Sequence, residues 1–113
     1  MNGKSTQAIQ HIAEIAPKFG ELTQQVLFDD IWQRPQLTPR ERSLITVAAL
    51  VALNRVEQLP FHFDRAGDNG IDRNTLAEIV THLAFYSGWP TAASALNVLA
   101  RSNDAITAMH DKE

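Results

Sequence analysis

The sequence predicts an all-α domain of about six helices. No stretch alternates apolar and polar residues with the period of two that marks a strand. Apolar residues recur instead three and four apart over most of the chain. Helix starts and stops (Pro, Asp, Asn-Gly, Ser-Gly) punctuate it at helix-length intervals. The 113 residues make one domain, 1–113. A chain of that size buries roughly two-thirds of its unfolded surface.

The first helix is expected from Ser5 to Ala16, with Ile9, Ile12, Ala13 and Ala16 at helical spacing, and Pro17 breaks or restarts it. Phe19 to Trp32 carries the next helical pattern. Leu22 and Val26 lie along it, and Leu27, Phe28, Ile31 and Trp32 widen its apolar face. Arg34 to Leu37 reads as an extended connector, because a residue before Pro avoids the helical region. Thr38, Pro39 and Glu41 then form an N-cap, a first helical position and a capping box. From Leu44 to Leu53 every residue but Thr46 is apolar. A helix apolar all round is expected at the centre, buried, and this one runs to about Asn54. It is too short, and too closely flanked by Arg40, Arg42 and Arg55, to span a bilayer.

Asn54 and Arg55 mark a tight turn. A helix is expected from about Val56 to Asp68, with Pro60 in its first turn or so and Leu59, Phe63 and Ala66 on one face. Asn69-Gly70 stops it, Gly supplying the left-handed conformation. Asp72 caps a further helix from Arg73 to about Tyr86, patterned by Leu76, Ile79, Val80, Leu83 and Ala84. Ser87-Gly88 ends it and Trp89-Pro90 starts the last, expected to Ser102. Its small residues, Ala92, Ala93, Ser94, Ala95 and Ala100, permit close helix approach. The tail after Asn103 is amphipathic at best, through Ile106 and Met109.

Composition narrows the function. A net charge of −3 and a pI near 5.7 leave no cationic face for phosphates, which argues against nucleic acid. No basic amphipathic helix suits a membrane surface. The absence of cysteine removes disulfides, thiolate metal sites and thiol redox chemistry. The N-terminal stretch lacks the apolar core of a signal peptide, so a cytoplasmic location is expected.

His62 is the sharpest candidate. A His near neutrality gives or takes a proton, and Phe61 and Phe63 would dry it and lower its pKa. The same residue also suits a core edge, bonded to a backbone carbonyl, and spacing alone favours that reading. Arg42 and Arg34 would suit a carboxylate-bearing small molecule through the bidentate fork; each also reads as an ion-paired or solvated residue. Tyr86, Trp89 and Phe85 cluster at a helix break, as a pocket wall or a filled corner. His62 and His82 lack a third ligand at metal spacing, so no metal is expected. There is no Gly-rich phosphate loop and no nucleophile elbow.

Several stretches in order resemble the carboxymuconolactone decarboxylase family of the AhpD-like superfamily, over about residues 19–99. They are Ile31-Trp32-Gln33-Arg34-Pro35, Leu37 through Thr46, Ala49 through Arg55, Leu59 with His62, Ala66, Asn69-Gly70, Glu78, and Tyr86-Ser87-Gly88-Trp89-Pro90 with Ala93. The resemblance implies an all-α homo-oligomer, a homotrimer or homohexamer. It implies a cofactor-free lyase or isomerase acting on a small carboxylated or lactone-type compound. By the same resemblance Arg42 holds the substrate and stabilises enolate-like charge, with Arg34 in support, and His62 protonates carbon. Gln58, Tyr86 and Trp89 are expected to line the substrate site.

Two departures qualify this. Decarboxylases of the family tend to carry Glu one turn before the His, where this chain has Gln58. The thiol peroxidase branch needs two cysteines and an upstream Glu, where this chain has Arg55, Gln58 and Ser43. The alternative reading is therefore a non-catalytic, oligomeric small-molecule-binding or accessory protein of the same fold.

Overall fold

A computed structural model describes the backbone of residues 11–111 and the side chains of residues 11–102. The described backbone is helical, with turns and no strand. The expected helix at Ser5 to Ala16 falls partly outside the described residues; 11–15 are helical and Ala16 breaks the run. The chain forms two compact units, one ending at Pro39 and one beginning at Arg40.

In the first unit, α1 is Pro17–Leu22, with Pro17 in the first turn, where a missing N–H removes no helical bond. Gly20 is buried there, and a Cβ on it would sit 2.7 Å from the Ala13 Cβ. Glycine is what lets these two backbones meet. The expected single helix from Phe19 to Trp32 does not persist. Thr23–Phe28 widens to a π-helix, the Asp29 N–H donating to the Gln24 carbonyl five residues back at 2.8 Å. Ile31–Gln33 then tightens to a 3₁₀ turn. These changes of pitch turn Phe28 and Trp32 inward, rings 6.2 Å apart. They leave Leu22, Val26, Leu27 and Ile31 exposed, contrary to the single apolar face expected. Arg34 is extended, as a residue before Pro should be.

The second unit contains α2 (Pro39–Ala52), α3 (Leu59–Asp68), α4 (Arg73–Ser87) and α5 (Trp89–Asp111). α2 ends in a Schellman turn. Asn54 adopts φ +58, its N–H donates to Val51 O, and the Arg55 N–H donates to Leu50 O at 2.8 Å. Residues 56–58 form turns, so α3 starts at Leu59 rather than Val56, with Pro60 in its first turn. α3 ends the same way at Gly70, φ +89, where the Ile71 N–H reaches Ala66 O and the Ile71 side chain is buried. The Asp72 carboxylate caps α4, accepting from the Thr75 N–H at 2.8 Å, which holds its pKa below the usual carboxylate value. Gly88, at φ +109 and ψ 149, breaks α4 from α5 in a conformation that essentially only glycine takes. α5 runs beyond the expected Ser102 because neither Gly nor Pro follows Pro90.

The core of this unit is drawn from all four helices: Val47 and Val51, Leu59, Phe63 and Ala66, Leu76 and Val80, and Ala92, Ala95, Val98 and Leu99, with Ile71 between α3 and α4. α5 packs along α4 and against α3. Ala92 and Ala95 are buried, consistent with the close approach their size permits. α2 differs from expectation. Its inner face, Ser43, Val47 and Val51, is buried, but Ile45 (57 %) and Leu53 (65 %) are exposed. Three partner helices cannot enclose a fourth on every side, so within one chain the apolar circumference is half covered.

Candidate functional site: the polar edge of α3

On α3 the residues Leu59, Phe63 and Ala66 face the core, and successive residues turn by about 100°. That rotation brings His62 and Arg65 to the edge of the buried face, one turn apart and both half-buried. The His62 ring meets Phe61 edge-on, centroids 4.8 Å apart. Burial first, and the Arg65 charge second, together lower the His62 pKa from 6.5 to about 4. His62 is therefore a neutral imidazole at pH 7. Burial also pulls the Arg65 pKa below the usual arginine value, while Asp68 acts to raise it. The Nδ1 of His62, the Nε of Arg65 and the Nε of Arg42 are all shielded from solvent.

Both ends of α3 are fixed. Pro60 preorganises its first turn and the Gly70 turn closes its last. The Asn69 amide donates to Ser43 Oγ at 2.9 Å, and Ser43 is fully buried at the start of α2. Ser43 is thus a structural link between α3 and the turn of α2 that bears Arg42. Arg42 is half-buried, and its carbonyl accepts from the Thr46 hydroxyl.

The other expected site residues stand in the open. Gln58 is the exposed N-cap residue of α3, one turn before His62, and its side chain makes no capping bond. Tyr86 and Trp89 flank the Gly88 break and are 78 % and 72 % exposed; Tyr86 stacks on His82 at 5.0 Å. A hollow beside Trp89 is lined by Thr81, Ala84, Ala92, Ala93 and Leu96. A second, between α2 and α4, is floored by Leu44, Ala48, Ile79 and Leu83, with Glu78 and His82 at its rim. Neither hollow includes His62, Arg42 or Gln58. Arg34 is exposed in the first unit, after the 3₁₀ turn.

Arg65 was missed from the sequence, where it reads as one more charged residue near a helix end. Its signal was available: it is three residues after a suspected functional His, which on a helix means the same side. A neutral imidazole next to a guanidinium, on a dried edge, can take a proton when an anion arrives and give it up again. Among the described residues no group of three or more His, Asp or Glu gathers as a metal cage. Nor is any helix among them long and apolar enough to cross a membrane.

Comparison with known proteins identifies the family. The profile of the carboxymuconolactone decarboxylase family matches residues 17–101. The 4-carboxymuconolactone decarboxylase of Acinetobacter baylyi is 27 % identical over 92 residues, 81 % of this chain and 69 % of that protein. The nitrosuccinic acid decarboxylase of Metarhizium robertsii is 31 % identical over 87 residues, 76 % of this chain and 61 % of that protein. With a profile match over most of its length, and a fold that agrees, this chain belongs to the carboxymuconolactone decarboxylase family.

Proposed function

We propose that the chain is a decarboxylase of small organic acids whose carbanion is delocalised after CO2 leaves. The observation that carries this is His62, half-buried and neutral beside Arg65, in a chain whose relatives are named decarboxylases. The two named substrates share a skeleton. In each, the departing carboxylate sits on a carbon that also bears a CH2–carboxylate arm. In each, the electron pair left behind enters an acceptor, an unsaturated lactone in one and a nitro group in the other.

In the proposed reaction the bond from the carboxylate carbon to the skeleton breaks and CO2 departs. The pair moves into the acceptor, where Arg42 stabilises the new negative charge. His62, protonated on binding the anionic substrate, delivers its proton to carbon and later recovers one from water. Gln58 stands one turn away as a neutral hydrogen-bonding contact. Tyr86 and Trp89, exposed in the isolated chain, are proposed as an apolar wall completed when copies assemble. Exposed Ile45, Leu53, Phe85, Tyr86 and Trp89 support assembly, since large apolar side chains at a surface mark contact sites. A homotrimer or homohexamer is proposed, and sedimentation of the purified chain as a monomer would rule it out.

The test of function is a turnover assay on 4-carboxymuconolactone and on nitrosuccinate, with a Gln58→Glu variant beside the wild type. Turnover of either by the wild type supports the reading. Silence of the wild type with activity in the variant places the chain on another substrate with a competent scaffold. The second reading, a binding or accessory protein, is favoured by the uncharged, exposed Gln58; saturable ligand binding with no turnover in either form would support it.

A further inference from the structure

We infer that Arg65 holds the carboxylate that the reaction does not remove, so that the site selects dicarboxylates of the substituted-succinate class. The inference rests on the proposed decarboxylase reading for its substrate, but its evidence is the geometry of α3. His62 and Arg65 are one turn apart on one helix, about 5–6 Å between Cβ atoms. In a substituted succinate the retained carboxylate is attached one CH2 away from the carbon that loses CO2. A group protonating that carbon and a group gripping the retained carboxylate must therefore stand side by side. Residues i and i+3 of a rigid helix meet that demand, and α3 is fixed at both ends.

The character of Arg65 fits the task. Its stem is half-buried against the core edge and its Nε is out of solvent, so the guanidinium is held in place. A planar fork fixed in this way receives a carboxylate through two parallel hydrogen bonds. Asp68, the acid that acts on Arg65, is exposed and one turn further on, at the last position of the helix. The charge of Arg65 also bears on His62. A carboxylate seated on Arg65 offsets that charge, so the substrate arm that anchors the molecule also helps His62 hold the proton it delivers. Arg65 thereby acts as a selector: an acid without the second carboxylate forfeits both the grip and the help.

The test uses two unreactive probes, monomethyl succinate and dimethyl succinate, titrated calorimetrically into the wild-type protein and into Arg65→Gln and Arg65→Lys. Wild type is expected to bind the half-ester, through its one carboxylate, roughly 10–100-fold more tightly than the diester, the range for one charge-assisted pair. Arg65→Gln should erase that preference, and Arg65→Lys should restore part of it. Arg65→Met keeps much of the buried stem and should show the same loss if Arg65→Gln is unstable. Equal affinities in the wild type, or a preference that survives Arg65→Gln and Arg65→Met, overturns the inference. Nitrosuccinate turnover, measured in parallel, separates the two claims. An Arg65-dependent preference with no turnover of nitrosuccinate or 4-carboxymuconolactone, in the wild type or in Gln58→Glu, leaves Arg65 in its role and removes the decarboxylase reading.

Discussion

His62 and His82 each touch an aromatic ring, and the two contacts are of similar length. His62 meets Phe61 at 4.8 Å edge-on and His82 meets Tyr86 at 5.0 Å, stacked. Their surroundings differ. His62 sits at the margin of a core face made by Leu59, Phe63 and Ala66, with a guanidinium one turn on. His82 is exposed on α4, at the rim of a shallow apolar hollow. An aromatic neighbour therefore does not distinguish a reactive His from a surface one. What distinguishes them is how much water the rest of the helix removes, and which charge remains when it has gone.

The sharpest way to break this comparison is catalysis. On a substrate that the wild type turns over, His62→Ala should lower kcat by roughly 10²–10⁴-fold, the usual worth of a positioned acid or base. His82→Ala should change it by less than about threefold. Equal losses would mean that burial has been misread as function.

Stability separates the core face from the solvent face next. Leu59 is fully buried, and Leu59→Ala should destabilise the protein by about 2–5 kcal/mol in urea titration. Leu50, expected at the centre of a fully buried helix, is only half-buried, so Leu50→Ala should fall below Leu59→Ala, at about 1–2 kcal/mol. A reversal of that order would show that α2 is enclosed in solution by another copy.

Acid sensitivity gives a smaller and more specific effect. His62 has its pKa lowered from 6.5 to about 4, so over that window the unfolded chain binds a proton there that the folded chain refuses. Stability should therefore fall as pH drops from about 6.5 towards 4, by on the order of 1–3 kcal/mol for this one group. His62→Gln should flatten that part of the profile and His82→Gln should leave it as it is. The smallest effect belongs to the exposed ring: Tyr86→Ala should shift the stability of the isolated chain by less than about 0.5 kcal/mol. A larger loss would place Tyr86 inside an interface.

Much of this fold was legible because its signals are local. Asp72 caps α4, Gly70 and Asn54 end helices in left-handed turns, and Pro39, Pro60 and Pro90 stand at helix starts, as their backbone chemistry requires. The apolar spacing named the buried residues of α3 and, on α4, the buried Leu76 and Val80 with the partly buried Ile79, Leu83 and Ala84 beside them, and the resemblance to the family was carried by residues in order. His62 was legible as a candidate with a lowered pKa, which burial produces, but whether it transfers protons or only packs at a core edge was open.

Tertiary structure decided the rest, because burial and pitch depend on what packs against a segment. The apolar run of α2 was compatible with complete enclosure, yet one chain supplies neighbours for only part of its circumference. The stretch from Thr23 to Phe28 reads as ordinary helix, and only the packed unit selects the wider turn that points Phe28 and Trp32 inward. Arg65 drew no notice in the sequence; only the placement of α3 with one side on the core drew it and the His62 ring out of water together. Sequence by itself determined the helices of the second unit, the caps and turns that bound most of them, and the family. The state of the groups along the edge of α3 came from the fold, because the pKa of a side chain is set by the solvent and charge that the rest of the molecule leaves around it.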